Sequence, residues 1–469
     1  MRGLRERVFA VEGPSGLQPP PKPRPGVYED RCNQFRRLVV QRCRGVKPVT
    51  YEAFLSKYSG RKYGRYSRAI ERIQTWGDEV IKPSVSAFVK AEFINQDVKP
   101  DPAPRIIQFR TPEYSAAIGR YIQPLEHRIY RAIGKIYGSP VVMKGYNAEQ
   151  VAAIVVDKWA GFEEPVAIGM DASRFDQHVS HDCLRFEHSV YLSCFNSPDE
   201  LRKLLRGQLV NEGKAVCGEA VIKYKVQGNR MSGDMNTALG NCLIMCGLVY
   251  SYCNNKGIKH DLIDNGDDAT VFIERRDLNL FMTGLKEWFL EMGFTMKVED
   301  PVYRLEHIEF CQTKPVCTKL GWTMCRNPWV CISKDTLWKQ PAFGPGFAKC
   351  YASWCNAVGQ CGSAMSPGMP VMMAFYGYLC RYERRTRVQG FGDGWSGLEW
   401  MSHGLSRQEC DVTPEARVSF WEAFGILPDH QEALEEYYST LAPDCKVRPP
   451  ISGDSGVDLQ ILLSTNARL

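Results

Sequence analysis

Two adjacent carboxylates stand out in the stretch HDLIDNGDDATVFIE, residues 260–274. Apolar, β-branched runs lie on both sides of Asn265-Gly266, a pair favoured in tight hairpin turns, so we expect Asp267 and Asp268 at the tip of a hairpin. Because neighbouring carboxylates repel one another unless a cation neutralises them, this arrangement favours a hard divalent ion with oxygen ligands. A polar turn without chemistry is the alternative, since Asn, Gly and Asp are common turn residues.

A second acidic pair precedes this one in the chain. Asp171 follows the apolar run Val166-Ala167-Ile168, which is typical of a buried strand, and Asp176 lies a few residues further on. Carboxylates at strand ends can converge with those of a neighbouring hairpin, which predicts three aspartates around two ions. Two bound metal ions can stabilise both the attacking and the leaving oxygen of a phosphoryl transfer.

A third tract, QGNRMSGDMNTALGNCLIM at residues 227–245, lies between the two acidic pairs. Gly233, Thr237 and Asn241 are spaced i, i+4, i+8, so on a helix that begins here they share one face. Ser232 with Gly233 predicts a flexible, cap-like entry to that helix. The tract therefore predicts a helix that presents hydrogen-bonding groups to a ligand. A helix with tolerated polar positions is the alternative.

Composition limits what kind of protein carries these residues. The chain has 469 residues, 44% of them hydrophobic and 24% charged, which is typical of a globular protein with several subdomains. The net charge of +6 permits a polyanionic partner without requiring one. The longest nearly apolar stretch, 242–253, is shorter than the about 18 residues that a membrane-spanning helix needs.

Two N-terminal tracts differ from the rest in composition. Residues 13–26 are rich in proline and glycine, which predicts a stiff, extended linker or docking strap that does not pack. Residues 31–75 hold many Lys and Arg with four interleaved tyrosines, a mixture that suits single-stranded nucleic acid. A solvated helical face is the alternative for the second tract. Its tyrosines are Tyr51, Tyr58, Tyr63 and Tyr66.

The strings DASRFD, SGDMNTALGN and NGDD, in that order, resemble motifs A, B and C of viral RNA-dependent RNA polymerases. The longer GMDASRFDQHVS is especially similar to the tombusvirus family of plant viruses, including carmovirus-like members. KAEF…PAPRIIQFR looks like motif F, LKEWFLEMGFTMKVED like motif D, and EHIEFCQTKPV like motif E. The apolar positions around motif D predict a helix from Asp277 to Met292 with one core-facing stripe, followed by a strand that carries Lys297 toward the site. RERVFAVEG with the proline-rich tract looks like the segment after the readthrough stop codon in that family, which implies a missing upstream domain.

This resemblance implies roles for individual residues. Asp171 and Asp267, with Asp268 beside them, are the implied ligands of two Mg²⁺ or Mn²⁺ ions, and Lys297 is the implied proton donor to departing pyrophosphate. Asp176 and Asn241 are implied to bind the ribose 2′-hydroxyl. The residues implied to surround the nucleotide, in the ribose pocket or along the triphosphate, are Lys90, Arg105, Arg110, Asp176, Ser232, Gly233, Thr237 and Asn241.

The implied fold is α/β (α+β): a right hand with fingers, a palm built on an antiparallel sheet flanked by helices, and a helical thumb. We expect an N-terminal extension at 1–30, fingers at 31–160 and 181–228, palm at 161–180 and 229–320, and a thumb and C-terminal region at 321–469. The implied activity is RNA-directed RNA synthesis, a nucleotidyl transfer that replicates a positive-strand viral genome, and the resemblance implies initiation without a primer.

The implied partners are template and product RNA, ribonucleoside triphosphates and a viral auxiliary replication protein. The expected location is the host cytoplasm, at membrane-associated replication complexes reached through partners or the missing upstream domain. A reverse transcriptase is the nearest rival, but it should carry an aromatic residue where Asp176 stands. A catalytically silent RNA-binding subunit is the rival from another class, and the intact aspartates argue against it.

Overall fold

The computed structural model of the protein describes residues 1–13, 16–92, 94, 100–218, 220–337, 346–383 and 396–443, apart from the side chains of 396 and 400. The chain divides into two compact units. The first unit comprises 1–144 and 161–301, and the second comprises 145–160 and 302–469. No helix within the described ranges has both the length and the apolar character needed to span a bilayer.

The described residues form both helices and strands. The α-helices are α1 Arg2–Leu4, α2 Val27–Arg31, α3 Asn33–Cys43, α4 Tyr51–Leu55, α5 Gly60–Trp76, α6 Pro112–Tyr137, α7 Ala148–Ala160, α8 Phe175–His178, α9 His181–Cys194, α10 Asp199–Arg206, α11 Thr237–Asn255, α12 Leu278–Met282, α13 Leu285–Glu291, α14 Pro328–Lys334, α15 Phe347–Met365, α16 Met372–Cys380, α17 Ser396–Met401, α18 Pro414–Phe424 and α19 Pro428–Thr440. The strands are β1 Val11–Gly13, β2 Gly16–Gln18, β3 Val85–Val89, β4 Ile106–Arg110, β5 Pro165–Ala172, β6 Val210–Cys217, β7 Ala220–Gln227, β8 His260–Asp264, β9 Asp268–Glu274, β10 Met296–Val298, β11 Thr313–Thr318 and β12 Gly321–Arg326. Single turns of other helix types occur at Arg5–Phe9, Gly77–Val80, Arg275–Asp277 and Leu305–His307. This mixture agrees with the expected α/β class.

One four-stranded antiparallel sheet of the first unit, here called the site sheet, has the strand order β10-β5-β9-β8. Its two central strands read as nearly continuous apolar runs because both of their faces are buried. β8 and β9 form the hairpin that the Asn-Gly pair predicts. Gly266 lies in its turn with φ of 105°, a conformation that glycine adopts without steric cost.

A second four-stranded sheet, here called the hairpin sheet, has the order β4-β3-β6-β7. β3 and β6 run parallel, and the other neighbours are antiparallel. The N-terminal segment covers one face of this sheet, where Leu4 and Val8 pack against Ala87, Ala215 and Tyr224. Residues 1–13 are therefore an integral part of the first unit.

α11 forms the centre of the first unit's core. Its residues are buried almost all the way round, which explains why its sequence is apolar apart from a few small and polar positions. The long helix α6 and the site sheet belong to the same apolar cluster. The polar residues of α11 therefore require partners inside the protein, and Thr237 and Asn241 find theirs at the N-terminal end of the helix.

The region before β10 differs from the prediction. A single helix was expected from Asp277 to Met292, but α12 and α13 are separated at Thr283 and at Gly284, whose φ is 72°. The apolar stripe is kept across the break, since Phe281, Leu285 and others are buried in the core. The stripe thus correctly predicts which side is buried, and it does not reveal the interruption.

The proline-rich tract also differs from the prediction, because part of it packs. The backbone N–H of Arg24 donates to the carbonyl of Glu291 at 2.8 Å, and Pro23 lies so close to Gly293 that a Cβ there would be 3.2 Å from it. The hydroxyl of buried Tyr28 donates to the carbonyl of Met292 at 2.8 Å. This segment is therefore attached along the end of α13.

The second unit has its own apolar core. The hairpin β11–β12 contributes Val316 and Cys325 to a cluster built mainly by α15, α16 and α18. α7 packs against β12, so residues 145–160 belong to this unit. Residues 302–320 also belong to it, because the hairpin buries side chains in this second core. The expected bounds of fingers, palm and thumb stay a prediction.

Candidate active site

The two central strands of the site sheet bring two predicted aspartates together. Asp171 on β5 lies directly opposite Asp268 at the start of β9. Side chains at opposed positions of an antiparallel pair project from the same face of the sheet and lie close together. Asp267 occupies the exposed turn one residue earlier. The hairpin tip is therefore formed by Gly266 and Asp267, and Asp268 is the first residue of the returning strand.

The donor chemistry of this group fits a hard divalent ion. Asp171, Asp267 and Asp268 supply only carboxylate oxygens, which are the ligands that Mg²⁺ and Mn²⁺ accept readily. In the part of the chain that the structure describes, no three His, Cys, Asp or Glu side chains are already gathered around one point. The structure thus places carboxylates on neighbouring strands, and a metal-binding role for them stays a prediction.

Lys144 supports the turn that bears these carboxylates. Its ammonium donates to the carbonyl of Asn265 at 3.1 Å and to the side-chain oxygen of Asn265 at 2.8 Å. The N–H of Gly266 donates to the buried carboxyl of Asp264 at 3.1 Å, and burial raises the pKa of that carboxyl well above its usual value. Neither Lys144 nor Asp264 was predicted to support this turn. Lys144 could not be, because it lies far from the hairpin in sequence.

Lys297 lies on the other side of Asp171. β10 pairs with β5 so that Lys297 is directly opposite Asp171, and its side chain is exposed. Asp268, Asp171 and Lys297 therefore form a row across three neighbouring strands, on one face of the site sheet. The prediction that the strand after the motif D helix carries Lys297 to this region agrees with the observed register.

Asp176 and Asn241 are joined by a hydrogen bond. The Asn241 amide donates from Nδ2 to Oδ1 of Asp176 at 2.9 Å. Burial raises the pKa of Asp176 to about 6, the Asn241 bond and the Arg230 charge oppose this, and the charge of Asp267 adds to it. A Cβ on Gly266 would lie 3.3 Å from the Cβ of Asn241, so this pair is next to the motif C turn.

The entry to α11 differs from the prediction. α11 begins at Thr237, so Thr237 and Asn241 share a helical face, whereas Gly233 lies upstream of the helix. Gly233 forms a bridge with Phe109 on β4, and its N–H donates to the carbonyl of Gln108 at 2.7 Å. A side chain at Gly233 would meet that carbonyl at 2.8 Å, so the close approach of the two backbones requires glycine.

The hydroxyl groups of Ser232 and Thr237 fix the loop that leads into α11, here called the motif B loop. Ser232 accepts a hydrogen bond from the N–H of Gln108 at 2.9 Å, and it does not cap the helix as expected. The hydroxyl of Thr237 donates to the carbonyl of Met231 at 2.8 Å. These contacts connect the motif B loop to β4. A role for either hydroxyl towards a nucleotide stays a prediction.

Arg110 was expected along the incoming triphosphate, but its side chain faces the protein interior. The residue is 2% exposed, and its guanidinium donates to both carboxylate oxygens of Asp234, at 2.6 and 3.2 Å. It also donates to Asn211 at 2.6 Å and to the carbonyl of Pro83 at 2.6 Å. With its donors engaged in this way, Arg110 links β4 to the motif B loop.

Lys90 and Arg105 remain accessible. They are neighbours across the β3–β4 connection, where the N–H of Lys90 donates to the carbonyl of Arg105 at 2.8 Å. Both side chains lie beside Glu92, with N···O distances of 3.5 Å from Lys90 and 3.3 Å from Arg105. Two cations thus share Glu92, and both side chains remain accessible to an anionic ligand.

The basic tract at 31–75 is only partly an aromatic surface. Tyr58 and Tyr66 pack against the buried ring of Phe54, with ring centroids 5.1 and 5.3 Å from it. Tyr63 is the more exposed tyrosine, at 47%. α5 nevertheless exposes a row of cations, and the ring of Phe109 lies 5.6 Å from the Arg65 guanidinium. Charge is therefore the main feature that this helix offers to a nucleic acid.

The sequence did not predict the buried ion pair between Arg230 and Glu187, which lies next to Asn241. The side chains of Arg230 and Glu187 are both fully buried, and they pair directly. Although burial opposes its charged form, Arg230 holds the pKa of Glu187 below its usual value. Asn236 also donates to Glu187, at 2.7 Å. Glu187 lies in α9, and no neighbouring residue in the sequence pointed to this role.

Comparison with known proteins gives the family. A family model described as viral RNA-dependent RNA polymerase matches residues 1–446. The chain is 41% identical over 463 residues to the RNA-directed RNA polymerase of Oat chlorotic stunt virus (isolate United Kingdom), covering 94% of this chain and 61% of that protein. It is 43% identical over 440 residues to the polymerase of Tobacco necrosis virus (strain A), covering 94% and 60%.

A third relative is the RNA-directed RNA polymerase of Turnip crinkle virus, 41% identical over 461 residues, with coverage of 96% of this chain and 58% of that protein. The chain thus spans about three-fifths of the length of these curated relatives. The matches run through the site sheet, the hairpin sheet and the second unit alike, and the relatives are polymerases of plant viruses of the tombusvirus family. The chain therefore belongs to the family of viral RNA-dependent RNA polymerases.

Proposed function

We propose that this chain is the polymerase region of a viral replication protein, and that it extends RNA by adding ribonucleotides opposite an RNA template. The observation that carries the proposal is the register of the site sheet, which sets Asp171 opposite Asp268 beside the turn that holds Asp267. In this proposal the site sheet is the palm, the hairpin sheet with α5 forms part of the fingers, and the second unit contains the thumb.

The three aspartates have a defined task in this reaction. Asp171, Asp267 and Asp268 would hold two Mg²⁺ or Mn²⁺ ions. Bound there, the ions would stabilise the attacking 3′-oxygen and the leaving pyrophosphate. The carboxylates themselves orient the reacting groups through the fixed register of β5 and β9, so the protein supplies positioning before the nucleotide arrives.

The Asp176–Asn241 pair supports the choice of ribonucleotides. Asp176 has a second carboxylate oxygen available to accept a hydrogen bond from a 2′-hydroxyl, and Asn241 orients that carboxylate. A site built to bond a hydroxyl rejects the analogue that lacks it, because its polar groups are then left unpaired. A reverse transcriptase would instead carry an aromatic residue at the position of Asp176, and that residue would exclude the 2′-hydroxyl.

Positive charge outside the site supports RNA as the ligand. Lys90 and Arg105 lie together on the hairpin sheet, and α5 exposes Arg61, Lys62 and Arg68. Cations that neutralise phosphates release counterions, so binding that depends on them weakens steeply as salt rises. We expect template affinity to follow this dependence.

The test is RNA synthesis by the purified chain. It is incubated with a short RNA template, four ribonucleotides, one of them labelled, and Mg²⁺, and full-length complementary product is expected. Asp268→Asn should abolish product while leaving template binding within about twofold, since the substitution removes a carboxylate and no basic residue. Asp199→Asn is the matched control, because Asp199 is fully exposed at the start of α10 and should leave synthesis unchanged.

Three outcomes would contradict the proposal. Product formation by Asp268→Asn at the wild-type rate would exclude a role for the carboxylate pair. Equal incorporation of ribo- and deoxyribonucleotides by the unmodified chain would favour a reverse transcriptase instead. Tight, salt-sensitive RNA binding without any synthesis would favour a binding subunit.

A further inference from the structure

A continuous chain of buried polar contacts leads from α9 to the predicted ribose pocket. Glu187 pairs with Arg230, and the Arg230 Nε donates to the side-chain oxygen of Asn241 at 3.2 Å. Asn241 in turn donates to Asp176 at 2.9 Å. Each bond uses a different atom of its residue, so the four side chains have one mutually consistent arrangement.

The direction of these bonds fixes the orientation of the Asn241 amide. Arg230 is only a donor, so the group of Asn241 that faces it must be the carbonyl oxygen. The amide nitrogen then faces Asp176, which accepts. Without the guanidinium only the Asp176 carboxylate would oppose a half-turn of the amide, which would place the amide oxygen against that carboxylate. Arg230 thereby excludes the wrong orientation.

The surrounding backbone is built around the ion pair. A Cβ on Gly240 would lie 2.3 Å from Nη2 of Arg230 and 2.5 Å from Oε1 of Glu187. The pair therefore passes directly against α11 at Gly240, one residue before Asn241. The N–H of Arg230 also donates to the carbonyl of Asp176 at 2.8 Å, so the same residue ties the backbones on both sides of the pocket.

We propose that Arg230 and Glu187 are positioning residues for sugar selection, which hold the Asn241 amide in the orientation that presents Asp176 to the 2′-hydroxyl. This inference rests on the proposed polymerase function. In this proposal, neither Arg230 nor Glu187 contacts the nucleotide. Glu187 fixes the guanidinium, and the guanidinium fixes the amide.

The test compares the ribo/deoxyribo selectivity of variants, taken as the ratio of kcat/KM for ATP to that for dATP on one RNA template. Arg230→Lys keeps the charge that faces Glu187 but loses the planar fork that also reaches Asn241. We expect selectivity to fall about tenfold, which is the effect of one hydrogen bond of ordinary net strength. A purely structural defect reduces the active fraction and leaves this ratio unchanged.

A double-mutant cycle tests whether Arg230 acts through Asn241. Asn241→Ala should lower selectivity to a similar degree, and the combination with Arg230→Lys should be no worse than Asn241→Ala alone. A multiplied loss in the double variant would overturn the inference. So would wild-type selectivity in Arg230→Lys.

Two further variants separate positioning from folding. Arg326→Lys is the matched control, since Arg326 forms a comparable ion pair with Asp335 in the second unit, and its selectivity should equal that of the wild type. Glu187→Leu combined with Arg230→Met replaces the buried pair by apolar side chains, an exchange that buried pairs often tolerate. This variant should melt cooperatively and still lose selectivity. Wild-type selectivity in it would again overturn the inference.

The failure of this inference is distinguishable from the failure of the proposed function. A wild-type chain that incorporates both sugars equally contradicts the proposed function itself. A wild-type chain that prefers ribonucleotides, together with Arg230 variants that keep the preference, contradicts only the positioning role. Equilibrium binding of ATP and dATP to the same variants gives a second readout that does not require turnover.

Discussion

Lys297 lies directly opposite Asp171 in the antiparallel pairing of β10 with β5. Asp268 lies opposite the same aspartate from the other side, so one carboxylate stands between an ammonium and a second carboxylate. This row explains how a residue from the motif D strand comes to the face of the sheet that bears the candidate metal ligands. Two roles are compatible with this position of the Lys297 ammonium, that of a proton donor and that of a counter-charge.

We expect Lys297→Leu to lower the maximal rate of nucleotide addition by about 10²–10⁴-fold, the usual contribution of a positioned acid. Nucleotide affinity should change much less, because the proton is needed only as pyrophosphate departs. Lys297→His should recover part of the rate. Pre-steady-state single-nucleotide addition measures both quantities. Lys286→Leu, the same substitution on an exposed face of α13, serves as the control.

A simple counter-charge role for Lys297 gives a different result. In that case its removal would leave the maximal rate nearly unchanged and would tighten the apparent affinity for Mg²⁺, since a positive charge that opposes the ions beside Asp171 would be gone. A Mg²⁺ titration of Lys297→Leu separates the two roles. An unchanged maximal rate excludes Lys297 from the chemical step.

Asp176 should make stability depend on pH. Its pKa is raised, chiefly by burial, from the ordinary value to about 6. Between the unfolded-state value near 4 and 6 the folded protein binds the extra proton, so stability falls as pH rises through this window. Asp176→Asn removes the buried charge and should therefore raise the unfolding midpoint at pH 7.5.

The control for this prediction is the pH series itself. The difference between Asp176→Asn and the wild type should shrink as the pH falls below about 4, where the aspartate is protonated in both states. Asp199→Asn, at a fully exposed position, should show no difference at any pH. Thermal unfolding in metal-free buffer gives the midpoints. A stabilisation that persists unchanged at pH 3.5 would contradict the assignment.

Gly233 should be intolerant of any side chain. A Cβ would meet the carbonyl oxygen of Gln108 at 2.8 Å and the Cβ of Phe109 at 2.8 Å, so the motif B loop would have to move away from β4. We expect Gly233→Ala to cost about 1–3 kcal/mol of stability, as overpacking usually does, and to reduce synthesis. Urea unfolding measures the first effect.

Gly64→Ala is the matched control for this substitution. Gly64 lies inside α5, its φ is not positive, and nothing lies within 4 Å of a Cβ built there. Alanine favours a helix interior over glycine by about 0.5–1 kcal/mol, so this variant should be slightly stabilised. Equal stability losses in the two variants would show that the contact at Gly233 is not the cause.

The sequence predicted the parts of the site that depend on local pattern. The hairpin follows from the Asn265-Gly266 turn between apolar runs, and the place of Asp171 follows from the strand before it. Long-range partners could not be predicted in this way. Arg110 resembles an exposed motif F cation until Asp234, far away in sequence, is seen to pair with it. Glu187 has no distinguishing neighbour in α9.

The same limit applies to boundaries. Gly284 interrupts the helix before β10, although the apolar stripe continues on both sides of it, because two short helices can bury the same face as one long helix. Residues 145–160 join the second unit because α7 packs on β12, and no composition change marks this. Contacts distant in sequence decide both features.

The attachment of the N-terminal segment to α13 gives a last prediction. Tyr28 is fully buried, and its hydroxyl donates to the carbonyl of Met292, just before the residues that lead into β10. Tyr28→Phe leaves that buried carbonyl without its donor, which should cost about 1–3 kcal/mol. Because β10 carries Lys297, we also expect slower nucleotide addition at an unchanged affinity for RNA.

Tyr63→Phe provides the comparison, since Tyr63 is 47% exposed on α5 and its hydroxyl can reach water. This variant should match the wild type in urea unfolding and in single-nucleotide addition. If Tyr28→Phe loses stability but keeps the wild-type addition rate, the segment stabilises α13 without influencing Lys297. If it loses neither, the Tyr28 contact has no energetic role, and the attachment of this segment to α13 does not depend on it.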